Sequence, residues 1–175
     1  MELKSGNITL RSLKEEDAAL MAELANNIKV SRNLRDGFPH PYTLKDSKLF
    51  IQNFSHHPQI KVFAIEFKDN YVGNISLAKG QDVYRKSAEI GYFIGEPYWN
   101  KGIITTAIIM ITDYGFKLMD VLRIHAGVFE YNTASQHVLE KCGFNKEGIF
   151  RKSIYKENRL WDEIRYAKLI YKSDF

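Results

Sequence analysis

The segment from Tyr98 to Ala107 constrains the fold most, because it joins a strand-like run to a helix through a glycine-containing turn. The strand-like run that precedes it is Ala88–Ile94. The helix that follows is indicated by apolar residues three or four positions apart: Ile104, Ala107, Ile108, Ile111 and Tyr114. A strand, a tight turn and a helix in succession predict a sheet that is covered by helices.

The turn before this helix also has the properties of an anion site. The first backbone N–H groups of a helix have no helical acceptor, and the helix dipole adds positive potential there, which favours a phosphate group. Gly102 lets a ligand approach the backbone closely, and Lys101 adds charge at the rim. Many strand–turn–helix units carry one glycine, so a plain turn with a helix cap is the open alternative on these residues alone.

Length and cysteine content bound the class of protein. A chain of 175 residues predicts a single domain, residues 1–175, and 45% of hydrophobic residues are enough for a packed core. The one cysteine, Cys142, excludes an internal disulfide and fits a reducing cytoplasm. The N-terminal residues lack the apolar core of a signal peptide, and no apolar run could cross a bilayer. We therefore expect a soluble, cytoplasmic protein with no metal and no membrane partner.

The charge pattern argues against a nucleic-acid partner. The formal net charge is +4, but the basic residues are scattered and interleaved with acidic ones. No long Lys/Arg run or aromatic–basic repeat marks a nucleic-acid surface. A positive balance would help to attract an anionic cofactor, although such a value often reflects solubility alone.

The first half of the chain predicts a strand, two helices and a hairpin. Ile8–Arg11 is strand-like. The helix after it has apolar positions at Leu20, Met21, Leu24 and Ile28. Two prolines and a glycine make Asp36–Tyr42 a loop, after which Thr43 caps a helix with Asp46 at the capping-box distance. The residues of that helix expected to face inward are Leu49, Phe50 and Phe54. The hairpin strands are Val62–Phe67 and Tyr71–Leu77.

The second half predicts strands that alternate with helices. The expected strands are Ser87–Gly95, Leu122–Val128, Gly148–Tyr155 and Trp161–Tyr171. A short helix, Thr133–Lys141, is expected to end at a left-handed Gly143. The resulting order is β-α-α-β-β-β-α-β-α-β-β, which is typical of an α/β (α+β) protein with a mixed central sheet flanked by helices.

This order resembles the GNAT N-acetyltransferases over essentially the full length, and the RimJ/RimL-type subgroup in particular. The motifs that carry the resemblance are Phe38–Thr43, Ala88–Tyr92 before Tyr98 and Trp99, Asn132 with Ser135, and Glu140–Phe144 followed by Glu147 and Gly148. Two positions depart from the family's turn: Trp99 replaces Arg or Gln, and Ile104 replaces Gly or Ala. Both changes keep the backbone donors, since only proline lacks an N–H.

The resemblance implies a mostly antiparallel sheet and acetyl-CoA as co-substrate. It implies that the turn amides hold the pyrophosphate of coenzyme A; these are the amides of Asn100, Lys101, Gly102, Ile103, Ile104, Thr105 and Thr106. It also implies that a splayed strand offers the cofactor its amides, which here would be those of Phe93, Ile94 and Gly95. Asn132 would lie near the pantetheine arm, and Ser135 would give a proton to the coenzyme A thiolate.

Glu89 is the expected general base. Amine acetylation requires a neutral amine, and a carboxylate acting directly or through water can take the proton. Glu89 shares a strand face with Gly91 and Phe93, and some GNAT enzymes place a catalytic Glu within a similar Ala-Glu-Ile run. An exposed or ion-paired strand Glu is the alternative. Glu66, Asn74 and Tyr92 are weaker candidates for the amine site.

The roles of Asn132 and Ser135 also have structural alternatives. Asn132 follows a strand and could simply cap the next helix, and Ser135 could be a solvated helix serine. Many GNAT enzymes use a tyrosine one turn later, where this chain has Leu139, and that absence favours Ser135 as the proton donor.

These observations predict an N-acetyltransferase that moves acetyl directly from acetyl-CoA to a primary amine, without an acyl-enzyme. The acceptor implied by the resemblance is the N-terminal α-amino group of a protein or peptide, bound between Arg32–Tyr42 and the last hairpin. The alternatives are a small amine (a polyamine, amino acid or aminoglycoside), a non-catalytic acyl-CoA-binding regulatory module, and a basic RNA-associated protein. Either a monomer or a homodimer is compatible with the sequence.

Overall fold

The structure, a computed structural model, describes residues 2–170 and contains eight strands and five α-helices within them. The strands are β1 (Glu2–Ser5), β2 (Ile8–Arg11), β3 (Ile60–Phe67), β4 (Asn70–Lys79), β5 (Ser87–Ile94), β6 (Arg123–Phe129), β7 (Asn145–Lys156) and β8 (Arg159–Leu169). The helices are α1 (Asp17–Ala25), α2 (Ile28–Ser31), α3 (Leu44–Phe54), α4 (Ile103–Leu118) and α5 (Thr133–Lys141).

The strands form one mixed sheet in the order β1-β2-β3-β4-β5-β6-β8-β7. The β5–β6 pair is parallel, and the other six pairs of described strands are antiparallel. The helix α4 makes the crossover between the two parallel strands, as a parallel connection requires. The predicted mixed, mostly antiparallel sheet of the α+β class is confirmed.

Helices cover both faces of the sheet because each presents one apolar face. The helices α4 and α5 pack one core against the sheet, with Ile103, Ile108, Ile111 and Leu139 almost fully buried. On the opposite face, Met21 of α1 and Ile51 of α3 belong to a second core. Burial of each such side chain contributes roughly 1.5–3 kcal/mol, so the helices are held by packing. No helix within residues 2–170 is both long and apolar enough to cross a membrane.

Locally encoded elements match their predictions. Thr43 and Asp46 form the expected capping box at the start of α3. The helix α5 has the predicted bounds, and Gly143 beyond it has a φ of +81°. The Phe144 N–H then donates to the Leu139 carbonyl, which satisfies one of the free carbonyls of the helix end.

Other elements differ from their predictions. The strand β1 was not expected, and the first predicted helix is broken after Ala25, so Ile28 begins α2. Leu49 was expected to face inward but is 51% exposed, and Leu20, an apolar position of the first predicted helix, is 44% exposed. The predicted last strand ended at Tyr171, which lies outside the described residues.

A buried ion-pair cluster joins β2 to α1. The Arg11 guanidinium donates to both carboxylate oxygens of Asp17, at 2.7 and 2.8 Å, and its Nε donates to Glu66 at 2.5 Å. The Asp17 hydrogen bond has the largest effect in raising the pKa of Arg11, while burial opposes it. The Glu66 carboxylate is therefore engaged in a structural ion pair with Arg11, which corrects its candidacy for the amine site.

Candidate active site

The two parallel strands separate in the middle of the sheet and open a cleft. The strands β5 and β6 pair only from Ser87 to Glu89 with Arg123 to His125. Beyond that point β5 stays paired with β4 as far as Ile94, and β6 stays paired with β8 as far as Phe129. Beyond Glu89 and His125, the edges of β5 and β6 that face each other are therefore unpaired. A cavity of about 970 Å³ lies here, lined by residues of both strands and of α4 and α5.

The unpaired edge of β5 directs the Ile94 amide into the cleft. The Gly95 N–H donates to the Val72 carbonyl of β4 at 2.9 Å. Alternate residues of a strand direct their amides to opposite sides, so Phe93 also faces β4, whereas Tyr92 and Ile94 face the cleft. This pattern corrects the expectation for Phe93 and Gly95, whose amides are directed to the neighbouring strand. The Ile94 amide remains available to a ligand.

The turn before α4 presents a run of free donors. Within the described part of the chain, none of the six consecutive amides from Asn100 to Thr105 donates to an intramolecular acceptor. Asn100 and Gly102 have φ angles of +58° and +73°, which turn the backbone back on itself before the helix begins. Such a concave row of N–H groups at a helix N-terminus is a binding site for phosphate. Thr106 differs, because its amide donates to the Gly102 carbonyl at 3.1 Å, which corrects its predicted role.

Trp99 fixes this turn to the end of β5. Its indole Nε1 donates to the Ile94 carbonyl at 2.8 Å. The carbonyl of Ile94 is thereby satisfied while its amide stays free. Trp99 occupies the position where Arg or Gln was expected, so the residue that departs from the family pattern holds the turn from Asn100 to Thr105, the candidate phosphate turn, beside the cleft.

A tyrosine–serine pair crosses the cleft between β5 and α5. The Tyr92 hydroxyl and Ser135 Oγ lie 2.7 Å apart, and either group can donate. Burial raises the pKa of Tyr92 to about 12, and the hydrogen bond with Ser135 opposes the rise. Tyr92 therefore keeps its proton at neutral pH and can donate a hydrogen bond to Ser135 Oγ. Leu139, one turn later, is fully buried in the core.

Asn132 has the capping role that was its structural alternative. Its Oδ1 accepts from the Ser135 amide at 3.2 Å, so it caps α5 while the residue lines the cavity. One lone pair of Oδ1 is engaged in the cap, so the amide nitrogen and the second lone pair of Oδ1 remain for a ligand. The cap also fixes the start of the helix that carries Ser135.

The only cysteine is poorly suited to nucleophilic catalysis. Cys142 is buried, and its Sγ donates to the Thr105 carbonyl at 3.5 Å. Burial raises the pKa of the Cys142 thiol above its ordinary value, which disfavours the reactive thiolate. The predicted direct transfer, without an acyl-enzyme, agrees with this environment.

Glu89 stands where the parallel strands begin to separate. Its side chain is 29% exposed and accepts a hydrogen bond from the Arg35 guanidinium of the loop after α2. Arg35 itself is 72% exposed, so another cation can replace Arg35 beside Glu89 without loss of a buried contact. The sequence predicted Glu89 and placed Arg35 within the acceptor segment Arg32–Tyr42, but it did not predict their ion pair, because 54 residues separate the two.

A second carboxylate lines the cavity from β8. Glu163 is 7% exposed, and its Oε2 pairs with Arg165 Nη2 at 2.7 Å. On β6, His125 pairs with Ala167 of β8 and does not line the cavity, and burial lowers the pKa of His125 below its ordinary value. Within residues 2–170, no group of three or more His, Cys, Asp or Glu side chains is arranged to hold a metal ion.

The loop after α2 and the last hairpin meet over the cleft. Lys156 Nζ lies 2.9 Å from Asp36 Oδ1, and Arg32 Nη2 lies 3.3 Å from Glu157 Oε2. The Tyr131 hydroxyl also donates to the Arg32 carbonyl at 2.6 Å. The two segments that the sequence assigned to the acceptor pocket are therefore in contact.

The predicted residues fall into two groups. Those that line the cavity together are Glu89, Phe93, Ile94, Asn100, Lys101, Gly102, Ile103, Ile104, Asn132 and Ser135. Gly95, Thr105 and Thr106 do not line it, although the Thr105 amide is free. The cavity thus combines free amides, a carboxylate and a hydroxyl pair, which are the groups that acyl transfer requires.

Comparison with known proteins identifies the family of the site. The family described as Acetyltransferase (GNAT) domain matches residues 7–145. YnaD, an uncharacterized N-acetyltransferase of Bacillus subtilis strain 168, is 31% identical over 97% of this chain and 97% of its own length. YjcK, a probable N-acetyltransferase of the same strain, is 38% identical, but the match covers 61% of this chain and 58% of YjcK. Spermidine N(1)-acetyltransferase of Escherichia coli K12 is 27% identical over 91% of this chain and 84% of that enzyme.

Solved structures show the same architecture. A GNAT-family acetyltransferase from Bacillus anthracis superimposes with a TM-score of 0.85 and 30% identity, covering 97% of this chain and 98% of that one. The ribosomal alpha-N-protein acetyltransferase RimL in complex with coenzyme A gives a TM-score of 0.88 over 97% and 98% of the two chains. Its identity is 19%, so that likeness shows the fold alone.

Proposed function

This chain belongs to the GNAT family of acetyltransferases and is an N-acetyltransferase; we propose that it moves acetyl from acetyl-CoA to the α-amino group of a peptide or protein. This acceptor is the one expected of the RimJ/RimL-type subgroup. The six free amides from Asn100 to Thr105 support the donor half of the reaction, because they fit the pyrophosphate of coenzyme A. Lys101 at the rim adds a positive charge for the same group.

The transfer forms one C–N bond and breaks one C–S bond, and acetyl-CoA supplies the activated thioester. Glu89 accepts the proton that the amine loses, directly or through water. The Ile94 amide donates to the oxygen on which negative charge develops. Ser135, supported by Tyr92, gives a proton to the departing thiolate, and exchange with solvent then returns a proton to Ser135 and removes one from Glu89. Each residue thus acts on a different atom of the same exchange.

The ordinary basicity of amines favours an α-amino acceptor. An α-amino group has a pKa near 8, whereas a lysine side chain has one of about 10.4. A larger fraction of an α-amino group is therefore neutral at pH 7. Glu89 already accepts a hydrogen bond from one guanidinium, that of Arg35. Its surroundings therefore fit an acceptor that brings one positive charge. The ammonium group of the acceptor would take the place of Arg35 before it loses its proton.

A polyamine is the second candidate, favoured by the similarity to a spermidine acetyltransferase. A polyamine carries several charges and requires several carboxylates that it can pair with. Three of the four carboxylates lining this cavity already pair with a cation, Asp36 with Lys156, Glu89 with Arg35 and Glu163 with Arg165, whereas Asp46 accepts from the uncharged Thr43. This pairing is the single observation that carries the preference for a monoamine acceptor.

Calorimetry and thiol release test the proposal. Acetyl-CoA should bind the purified protein, and free thiol should appear when peptides with a free N-terminus are added. The same peptides with a blocked N-terminus but a free lysine should be poor acceptors. Faster turnover of spermidine than of every peptide would replace the peptide acceptor by the polyamine. Absence of acetyl-CoA binding would contradict the donor assignment itself.

A further inference from the structure

An apolar recess of about 140 Å³ opens at Gly91, two residues along β5 from Glu89, on the acceptor side of the cleft. Its walls include Leu34, Phe38, Tyr42, Phe50, Val62 and Phe93. We propose that this recess binds the apolar side chain next to the acceptor amine, so that the enzyme selects peptides beginning with a large aliphatic or aromatic residue. The inference rests on the proposed function and names the substrate class of the same site.

The size of the recess matches one large apolar side chain. An apolar cavity of roughly 150 Å³ accommodates a benzene molecule. The recess therefore has room for a phenyl ring or a leucine-sized group. It does not have room for a long chain, so the rest of the acceptor must leave along the main cleft.

Aromatic rings form the recess and still have free surface to offer. The Phe38 ring packs edge-on against Phe93, with centroids 5.4 Å apart, and lies 4.6 Å from the Tyr42 ring. Phe38 and Phe50 are only partly buried although both pack against the core beneath α1 and α3. Their uncovered surface faces the recess. An apolar group placed there would remove this surface from water, which is favourable in proportion to the area.

Gly91 connects the recess to the carboxylate. It lies between Glu89 and Phe93 on one face of β5, and it lines both the main cavity and the recess. Residues two apart on a strand are separated by about 7 Å. A Cβ at Gly91 would have one close neighbour, the Ser76 Oγ at 3.3 Å, so the space above it is open. An amine beside Glu89 can therefore extend its substituent over Gly91 into the recess.

The polar atoms around the recess are already engaged. The Asn74 Oδ1 accepts from the Tyr71 hydroxyl at 2.9 Å, and Ser76 Oγ donates to the Gly91 carbonyl at 3.3 Å. A polar or charged side chain would lose its hydration on entry without a matching partner, which is unfavourable. The recess therefore discriminates against serine, aspartate and lysine as first residues.

Matched peptides that differ only in the first residue test the inference. The panel consists of tetrapeptides beginning with Phe, Leu, Ala or Ser, together with phenethylamine and spermidine. The wild-type enzyme should show kcat/KM for the Phe and Leu peptides that exceeds the Ser value by roughly ten- to 200-fold, the range that a hydrophobic pocket provides. Gly91→Leu, which fills the passage, should abolish the advantage of the Phe peptide.

Phe50→Ala and a control at a distant aromatic residue complete the design. Phe50→Ala should reduce the preference for Phe over Ala peptides at least several-fold. Tyr84→Ala removes an exposed aromatic ring that does not line the cavity and should keep the wild-type preference. Equal kcat/KM across the wild-type panel, or a preference that survives in both Gly91→Leu and Phe50→Ala, would overturn the inference.

The outcomes separate this inference from the proposed function. Turnover of phenethylamine without any peptide would refute the peptide acceptor and support the recess. Turnover of peptides without regard to the first residue would support the acceptor and refute the recess. If no amine is turned over, calorimetric binding of phenylalaninamide in the presence of coenzyme A decides. Binding that is lost in Phe50→Ala supports the recess, and no binding overturns it.

Discussion

The Tyr92 hydroxyl and Ser135 Oγ lie 2.7 Å apart, which joins β5 to α5 at the point where the two parallel strands have separated. Tyr92 keeps its proton at neutral pH, since burial raises its pKa to about 12. Ser135 is positioned by the Asn132 cap at the start of α5. The pair thus links the strand whose Ile94 amide faces the cleft with the helix that carries the Ser135 hydroxyl.

Removal of either hydroxyl should slow turnover in a coupled manner. We expect Ser135→Ala to lower kcat by about 10²-fold, the usual contribution of a general acid. Tyr92→Phe should have a smaller effect, and the double variant should be no slower than Ser135→Ala, because Tyr92 acts through Ser135. The measurement is thiol release at saturating acetyl-CoA. The control is Thr133→Ala, an exposed hydroxyl on the same helix that does not line the cavity. Additive losses would show that the two hydroxyls act independently.

Glu89→Gln should reduce turnover without weakening donor binding. The neutral amide cannot accept a proton from the amine, so kcat is expected to fall by about 10²–10⁴-fold. The calorimetric Kd for acetyl-CoA should stay within a factor of about two, since Glu89 is remote from the phosphate turn. Glu147→Gln is the matched control, because Glu147 also accepts from an arginine, Arg123, but lies outside the cavity lining. An unchanged kcat in Glu89→Gln would eliminate Glu89 as the base.

Gly102→Ala should lose both stability and affinity for acetyl-CoA. The φ of +73° at Gly102 is in the left-handed region, where an L-residue costs roughly 1–2 kcal/mol. The added Cβ also stands beside the free amides. Gly6→Ala is the control, since Gly6 has a φ of +54° and equally open surroundings but lies outside the cavity lining. Urea unfolding should show similar losses for both variants, and calorimetry should show weaker binding only for Gly102→Ala. Equal Kd values in the two variants would contradict the phosphate turn.

Stability should fall at alkaline pH through Tyr92. Its pKa is about 12 in the folded protein, against an ordinary value of 10.0, so the fold favours the protonated phenol. The contribution is fully present below pH 10 and is lost as pH rises towards 12, because the unfolded state releases the proton first. Urea unfolding should therefore show a shallower decline between these pH values in Tyr92→Phe. Tyr84→Phe, at a side chain that is 71% exposed, is the control. An identical decline in wild type and Tyr92→Phe would refute this linkage.

Local features of the fold were predictable because their signals lie within a few residues. The Thr43–Asp46 capping box, the bounds of α5 and the left-handed Gly143 each depend on neighbouring backbone groups. The candidate phosphate turn belongs to the same class, since its free donors are consecutive amides. The interruption between α1 and α2 was missed, because the apolar residue Ile28 continues the helical spacing while it stays 54% exposed.

Pairs across the cleft could not be predicted by the same means. The separation of β5 from β6 depends on which strand edges find partners, and the contacts of Arg35 with Glu89 and of Tyr92 with Ser135 span 54 and 43 residues. Spacing in the sequence carries no signal over such distances.

The sequence by itself determined the order of the elements apart from β1 and the break between α1 and α2, and it named the candidate phosphate turn, Glu89 and Ser135, because periodicity, capping and turn geometry are local. The tertiary structure decided which amides are free, since Gly95 and Thr106 find backbone acceptors whereas Ile94 and Thr105 do not. It also decided the chemistry of the acceptor side, by pairing the carboxylates and by gathering Phe38, Phe50 and Phe93 around one recess. Hydrogen bonding and burial are properties of the packed chain, and they come into existence only when distant segments meet.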